Sequence, residues 1–346
     1  MMPRLRSTTV RVLKFVLPVV IIGWLLWRVE PEQWELLRDQ PRNYPLLVAA
    51  LAAALAAVCV SFVRWWALVR CQGINLGVIE AFRLGAIGFL LSFVSAGSVG
   101  GDIFKTIFLA RRSPGKGLEA VASVIVDRGI GLLGLLLLVA FAMSAAGGSS
   151  NPDLVNIGNA ALVLSVVGLV TLSALVLGGR PIDRAMVWSG RLRYVGGAVR
   201  RMAGPLRVFR RHPFILGLSL LMSLAVHSLL VLSAFWIATS LYGAAAPSLG
   251  DHALIFPIAN LASTMPIAPA GLGVLEAAME WLYRVVPAEP TIASGMLVAL
   301  VYEIVKVVMA VLGMLFYWTA APEVRRSLSE VRELESSNHE LDTHRT

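Results

Sequence analysis

Long apolar runs alternate with short polar stretches along the whole chain. Six runs, at about 12–29, 44–69, 119–143, 158–178, 213–242 and 291–319, have the length of a helix that crosses a bilayer. About 20 apolar residues suffice for a hydrocarbon core about 30 Å thick. Two further runs are interrupted. In 82–112 an apolar piece meets the Ser/Gly break SAGSVGG, and Asp102 opens a second piece that ends on Arg111 and Arg112. At 1.5 Å per residue the leading piece (82–96) reaches about 22 Å and the returning piece (102–112) about 16 Å. Neither crosses alone, and Gly97, Gly100 and Gly101 lie between them. The second interrupted run, 251–286, has Pro257, Pro266 and Pro269 where a continuous helix would be disrupted, then Gly271, Gly273 and Glu276. The pattern predicts an all-α polytopic membrane protein of six full spans plus two re-entrant broken-helix hairpins.

Composition agrees. Hydrophobic residues make up 57%, charged residues 15%, and the mean hydropathy is +0.76. Soluble domains are about half apolar and about a quarter charged. The net charge of +9 and pI near 10.1 would suit nucleic acid in a soluble protein. Here the arginines cluster beside apolar spans, where they set orientation and attract anionic headgroups, so no nucleic-acid partner is expected. Arg4, Arg6, Arg11 and Lys14 precede the apolar run FVLPVVIIGWLLW, and no small-x-small cleavage site follows it. It therefore reads as an uncleaved span with a cytoplasmic N-terminus. The segment 179–212 holds nine arginines against Asp183 and reads as cytoplasmic, with room for an amphipathic surface helix. The tail 321–346 is polar and also cytoplasmic. The expected location is multi-pass in the cytoplasmic (inner) membrane. Cys59 and Cys71 imply neither a disulfide framework nor a metal site.

Parity tests the hairpins. Four spans separate the N-terminus from the arginine-rich segment, and two separate that segment from Arg325 and Arg326. Each interrupted run must return to the side it left, the first cytoplasmic and the second external. The single transmembrane domain, 1–320, then splits into repeat one (about 44–143) and repeat two (about 213–320) in opposite orientation. The segment 158–212 links them. Inverted repeats mark many secondary transporters, with sites near the midplane at broken helices.

Polar residues follow the repeat. Asp102 and Glu276 each follow glycines. Each is followed 25 to 27 residues later by a second acid, Asp127 or Glu303, with Arg128 or Lys306 nearby. A charge at a span centre costs roughly 2.5–3.5 kcal/mol, so such groups face a partner or a wet cavity. Glu303 and Lys306 share a helix face. Adjacent Asp127 and Arg128 point apart and seek different partners. These groups either handle substrate or lock helices together. The glycines either permit tight turns or let half-helix N-termini face a lipid phosphate. Asp102 and Glu276 either serve the site or cap their helices. Lys105, Arg111 and Arg112 either draw a headgroup or snorkel. His227 is an interhelical hydrogen bond or a proton relay. There is no HExxH, GxSxG, paired CxxC or dinucleotide loop, so no enzyme activity, metal or cofactor is expected.

SAGSVGGDIFKTIFLARR, VASVIVDRGIGLLGLLLL and MPIAPAGLGVLEAAM resemble three blocks of the lysylphosphatidylglycerol synthase transmembrane-region family, a flippase-like membrane domain. The last block reads PAGLGVLE, with Ala270 where the family often has glycine or proline. The resemblance covers roughly 10–320 and implies site roles for Gly101, Asp102, Asp127, Arg128, Gly271, Gly273 and Glu276. Glu303 and Lys306 come from the repeat alone. Members fused to an aminoacyl-transferase domain make aminoacylated phosphatidylglycerol, and their membrane part is thought to flip it. This chain ends soon after its last span and is expected to be a stand-alone translocase. The partners implied are membrane lipids, above all anionic phospholipid. The alternative is a lipid-binding subunit that holds a partner transferase without transporting anything.

Overall fold

The computed structural model describes residues 43–94, 99–147, 151–179, 196–264 and 273–318, with Glu35 and Arg38. The expected first span, residues 148–150 and 180–195, the breaks of both interrupted runs (95–98 and 265–272, with Gly97, Pro266, Pro269 and Gly271) and the tail lie outside them. Among the described residues all regular structure is helical. We number the helices α1 (Tyr44–Cys71), α2 (Val78–Val94), α3 (Val99–Arg112), α4 (Gly117–Ala145), α5 (Pro152–Leu177), α6 (Gly196–Val208), α7 (Pro213–Tyr242), α8 (Leu249–Ser263), α9 (Val274–Val285) and α10 (Gly295–Trp318).

Among the described residues five helices are long and apolar enough to cross a membrane: α1, α4, α5, α7 with its short extension, and α10. They coincide with five of the six expected spans. Their starts are chemically marked. Asn43 accepts the Leu46 N–H at α1, Asn151 accepts those of Asp153 and Leu154 at α5, and prolines occupy the first turns of α1, α5 and α7. α1 buries a stripe of Ala50, Ala53, Ala54 and Ala57 against α7. Small side chains let the two backbones approach, and Ser233 and Ser240 of α7 donate to the Ala50 and Asn43 carbonyls at 2.9 Å.

The interrupted runs form helix pairs. α2 and α3 have 17 and 14 residues, about 26 and 21 Å. α8 and α9 have 15 and 12 residues, about 22 and 18 Å. Within each pair the helices pack on one another, and their outer ends meet. Glu80 in the first turn of α2 pairs with Arg112 in the last turn of α3. His252 in the first turn of α8 meets the hydroxyl of Tyr283 in the last turns of α9 at 2.8 Å.

Two expectations change here. α3 begins at Val99, so Gly100 and Gly101 sit inside its first turn and not in the break. Gly101 is required by a neighbour: a Cβ there would stand 2.2 Å from the Gly88 carbonyl of α2. Pro257 does not interrupt α8, which runs through it. A Ser248–Asp251 capping box starts that helix, and burial of Ile255, Phe256, Ile258 and Ala259 outweighs the hydrogen bond the proline removes.

Among α1 to α4 and α7 to α10 the packing pairs are α1–α2 and α7–α8, α2–α3 and α8–α9, α3–α4 and α9–α10, α1–α4 and α7–α10, α2–α10 and α8–α4, and α4–α7 and α10–α1, with α1 on α7; α5 and α6 pack on α4 outside this set. Exchanging α1 to α4 for α7 to α10 reproduces the set. The arginine-rich segment contributes α6, which does not simply lie on a surface. Its Met202 and Leu206, with Phe209 beyond its end, pack among Leu68, Cys71, Val126 and Ile130. The Gln72 amide donates to the Pro205 carbonyl at 3.0 Å.

Candidate functional site

Five charged side chains from three helices meet where α3 leaves its break. The close approach at Gly88 and Gly101 puts the first turn of α3 against α2. Asp102, in that turn, faces α4. There the Arg128 guanidinium grips it in two parallel bonds, Nε to Oδ2 at 2.7 Å and Nη2 to Oδ1 at 2.9 Å. Both oxygens are thus engaged by Arg128. Asp127 turns the other way, and its Oδ1 accepts from Arg64 Nε of α1 at 2.8 Å. Adjacent residues on α4 therefore take partners on different helices. One turn after Asp102, Lys105 places its ammonium 4.8 Å from the Trp65 ring centroid and interacts electrostatically with all four other charges. Three cations stand against two anions, a net +1.

The members differ in exposure. The Arg64 and Asp127 side chains are 8% and 15% exposed, so that pair is interior. The Arg128 side chain is 54% exposed, so that pair lies at the margin of the bundle. Next to the pair, His227 of α7 points Nε2 at the Gly131 carbonyl of α4 at 3.0 Å. A carbonyl only accepts, so Nε2 carries the proton and makes an interhelical hydrogen bond.

The second half builds a different centre. Gly273, with φ +84°, is the N-cap of α9, and its N–H donates to Glu276 Oε2 at 2.7 Å. Glu276 therefore caps its own helix, while being fully buried. On α10 Lys306 Nζ donates to Glu303 Oε1 at 2.5 Å across one helical turn. Among the described residues, Glu276 Oε1 and Glu303 Oε2 are buried with no hydrogen-bond partner. Further along α9, Glu280 Oε2 accepts from Ser294 Oγ at 2.9 Å and from the Met296 N–H at 3.1 Å. It thereby caps the start of α10.

Of the residues singled out in the sequence, Asp102, Lys105, Asp127 and Arg128 share one cluster beside Gly101. Gly273, Glu276, Glu303 and Lys306 share the other region. Arg111 lies exposed in the last turn of α3, about 9 Å along the axis from Lys105. Gly271 is outside the described residues. Arg64, Trp65 and Glu280 were missed. Arg64 reads as an interfacial arginine beside Trp65 and Trp66, yet seven residues of α1 follow it and it is buried. A buried Asp127 needing a cation was the available signal. Among the described residues no group of three or more His, Cys, Asp or Glu could hold a metal ion.

A family model described as the lysylphosphatidylglycerol synthase TM region matches residues 11–313. No curated protein and no solved structure matches the chain.

Proposed function

Because the chain belongs to the lysylphosphatidylglycerol synthase TM region family, we propose that this multi-pass membrane protein moves an anionic phospholipid, or a similar amphipathic lipid, between leaflets. The observation that carries the reading is the net positive cluster of Arg64, Asp102, Lys105, Asp127 and Arg128, whose Arg128 side chain is half exposed. A lipid phosphate presents the same paired oxygens as Asp102 and competes for the Arg128 fork. Lys105 supplies a second cation one turn away. When Arg128 moves from Asp102 to phosphate, the first turn of α3 is released, and its N–H groups favour an anion. Arg64 and Asp127 stay paired and hold α1 to α4 throughout.

In this reading the α2–α3 and α8–α9 pairs are re-entrant hairpins from opposite faces. Residues 44–143 and 213–320 form an inverted repeat around them. Their support is length, clasped outer ends and the packing set that maps onto itself. The headgroup passes between the hairpins while the acyl tails remain in lipid. Both termini and the arginine-rich segment face the cytoplasm by the positive-inside rule.

The test is reconstitution of the purified chain in vesicles with fluorescent phosphatidylglycerol and an impermeant quencher. Lipid should change leaflets faster than in empty vesicles, and R128A should lose most of the gain. A wild-type rate equal to empty vesicles overturns transport. A fully active R128A overturns the site. A second reading, a lipid-binding subunit for a partner transferase, draws on α5, where Leu162, Val163, Val166, Val167 and Val170 face outward. Transport by the purified chain alone would exclude a purely scaffolding role.

A further inference from the structure

The second centre has the opposite charge balance to the first. Glu276 is fully buried and Glu303 is 8% exposed. Each has one oxygen in use, for the Gly273 N–H and the Lys306 ammonium, and one idle oxygen in the interior. The helices that carry them are in backbone contact, since a Cβ on Gly295 would stand 2.3 Å from the Met279 carbonyl. Glu276 and Glu303 thus lie on two helices packed together, each with an idle oxygen inside the bundle.

Lys306 and Glu276 are the charged groups that act on Glu303, and the Tyr302 phenol lies beside it. Among the described residues, α1, α2 and α7, which also pack on α10, add no further charge there. On α8, Asp251 and His252 sit at the far end of α9 and are engaged by Ser248 and Tyr283. Glu280, one turn beyond Glu276 on α9, is paired with Arg284, so among the described residues two carboxylates stand against one ammonium, a surplus of one negative charge. A buried carboxylate oxygen without a donor is costly, and a surplus charge in an apolar interior more so. One proton corrects both faults. It cancels the surplus and turns an idle oxygen into an O–H donor.

We propose that Glu276 and Glu303 together form a proton-binding site that holds a single proton between them. On the lipid-translocation reading, on which this step rests, that proton is the coupling ion. The Arg128 cluster takes the anionic headgroup, and the Glu276–Glu303 pair takes the cation that accompanies it. Protonation and deprotonation form and break one O–H bond, with water as the exchanging partner.

The test is infrared difference spectroscopy of the purified full chain in nanodiscs, titrated from acid to alkaline pH. A protonated-carboxyl carbonyl band should vanish on alkalinisation. It should be missing from both E276Q and E303Q, and it should not respond to replacing sodium by choline. Glutamine keeps an acceptor for the Gly273 N–H and for Lys306, so both variants retain the bonds that hold the helices. A parallel measurement needs no variant: a hydrophobic carbodiimide, which attacks protonated carboxyls, should label Glu276 or Glu303 of the wild type less as pH rises. A band that survives both substitutions, one lost in only one variant, one abolished by sodium at fixed pH, or no labelling of either glutamate overturns the shared-proton site. Neither measurement involves lipid movement. A failed titration with active vesicles overturns the proton site alone, and a sound titration with inactive vesicles overturns translocation alone.

Discussion

Asp102 and Arg128 engage each other through both carboxylate oxygens and two guanidinium nitrogens, at 2.7 and 2.9 Å, joining the start of α3 to the middle of α4. Lysine at position 128 keeps the charge and loses the fork. With one charge-assisted hydrogen bond gone, R128K should bind anionic lipid about tenfold more weakly, the equivalent of about 1.5 kcal/mol. Thermal stability should change little, because lysine keeps a positive charge opposite Asp102. Lipid titration by native mass spectrometry reads the first effect and a melting curve the second. Unchanged affinity removes the fork from the lipid site.

Arg64 and Asp127 should behave in the reverse way. Their side chains are 8% and 15% exposed, so removing either leaves an uncompensated charge in the interior. R64L and D127L should each lose about 3–5 kcal/mol, and the double variant should lose less than either single. Denaturation in detergent measures all three. Costs that simply add would mean the two side chains do not depend on one another.

The contrast between these two ion pairs marks what sequence reading reaches. Five of the six expected spans were legible because a long apolar helix needs only its own residues to be recognised, and α7 follows the expected 213–242 residue for residue. Asp127 and Arg128 stood out for the same reason, as charges inside an apolar run. Their partners were not legible. Asp127 meets Arg64 across 63 positions, and nothing local separates a buried arginine from one at the lipid interface when tryptophans follow it. The role of Gly101 was misassigned because a glycine beside a break looks like a turn. Only the carbonyl of Gly88 shows that it is there for close approach. Pro257 misled in the opposite direction, since tertiary burial outweighed a local helix-breaking preference. Glu276 as a cap was open from its spacing to Gly273, but its idle second oxygen is a fact of packing.

Gly101 provides a clean steric test. A methyl group there would stand 2.2 Å from the Gly88 carbonyl and 2.8 Å from Ser92 Oγ, and the nearest obstacle is backbone. G101A should destabilise by about 1–3 kcal/mol and push α3 off α2, with lipid binding falling in parallel. Gly217 in α7 has nothing within 4 Å of such a methyl. G217A should be neutral or gain about 0.5–1 kcal/mol from helix propensity. Melting temperatures of the two variants decide the matter. Similar shifts would mean that the α2–α3 contact yields freely.

The two outer clasps differ in strength, and that predicts which helix pair opens first. His252 donates from Nδ1 to the Ser248 carbonyl at 2.9 Å, which leaves Nε2 to accept the Tyr283 hydroxyl at 2.8 Å in a fully buried setting. Y283F keeps the ring, edge-on to His252 with centroids 5.6 Å apart, and strands a buried acceptor. It should cost about 1–3 kcal/mol. The corresponding Glu80–Arg112 clasp has side chains 24% and 44% exposed, so E80Q should cost at most about 1 kcal/mol. Hydrogen exchange should accordingly show α2 and α3 opening more readily than α8 and α9 in the wild type. Y283F should bring the second pair up to the rate of the first. Equal exchange from both pairs in the wild type would mean that neither clasp governs the opening of its pair.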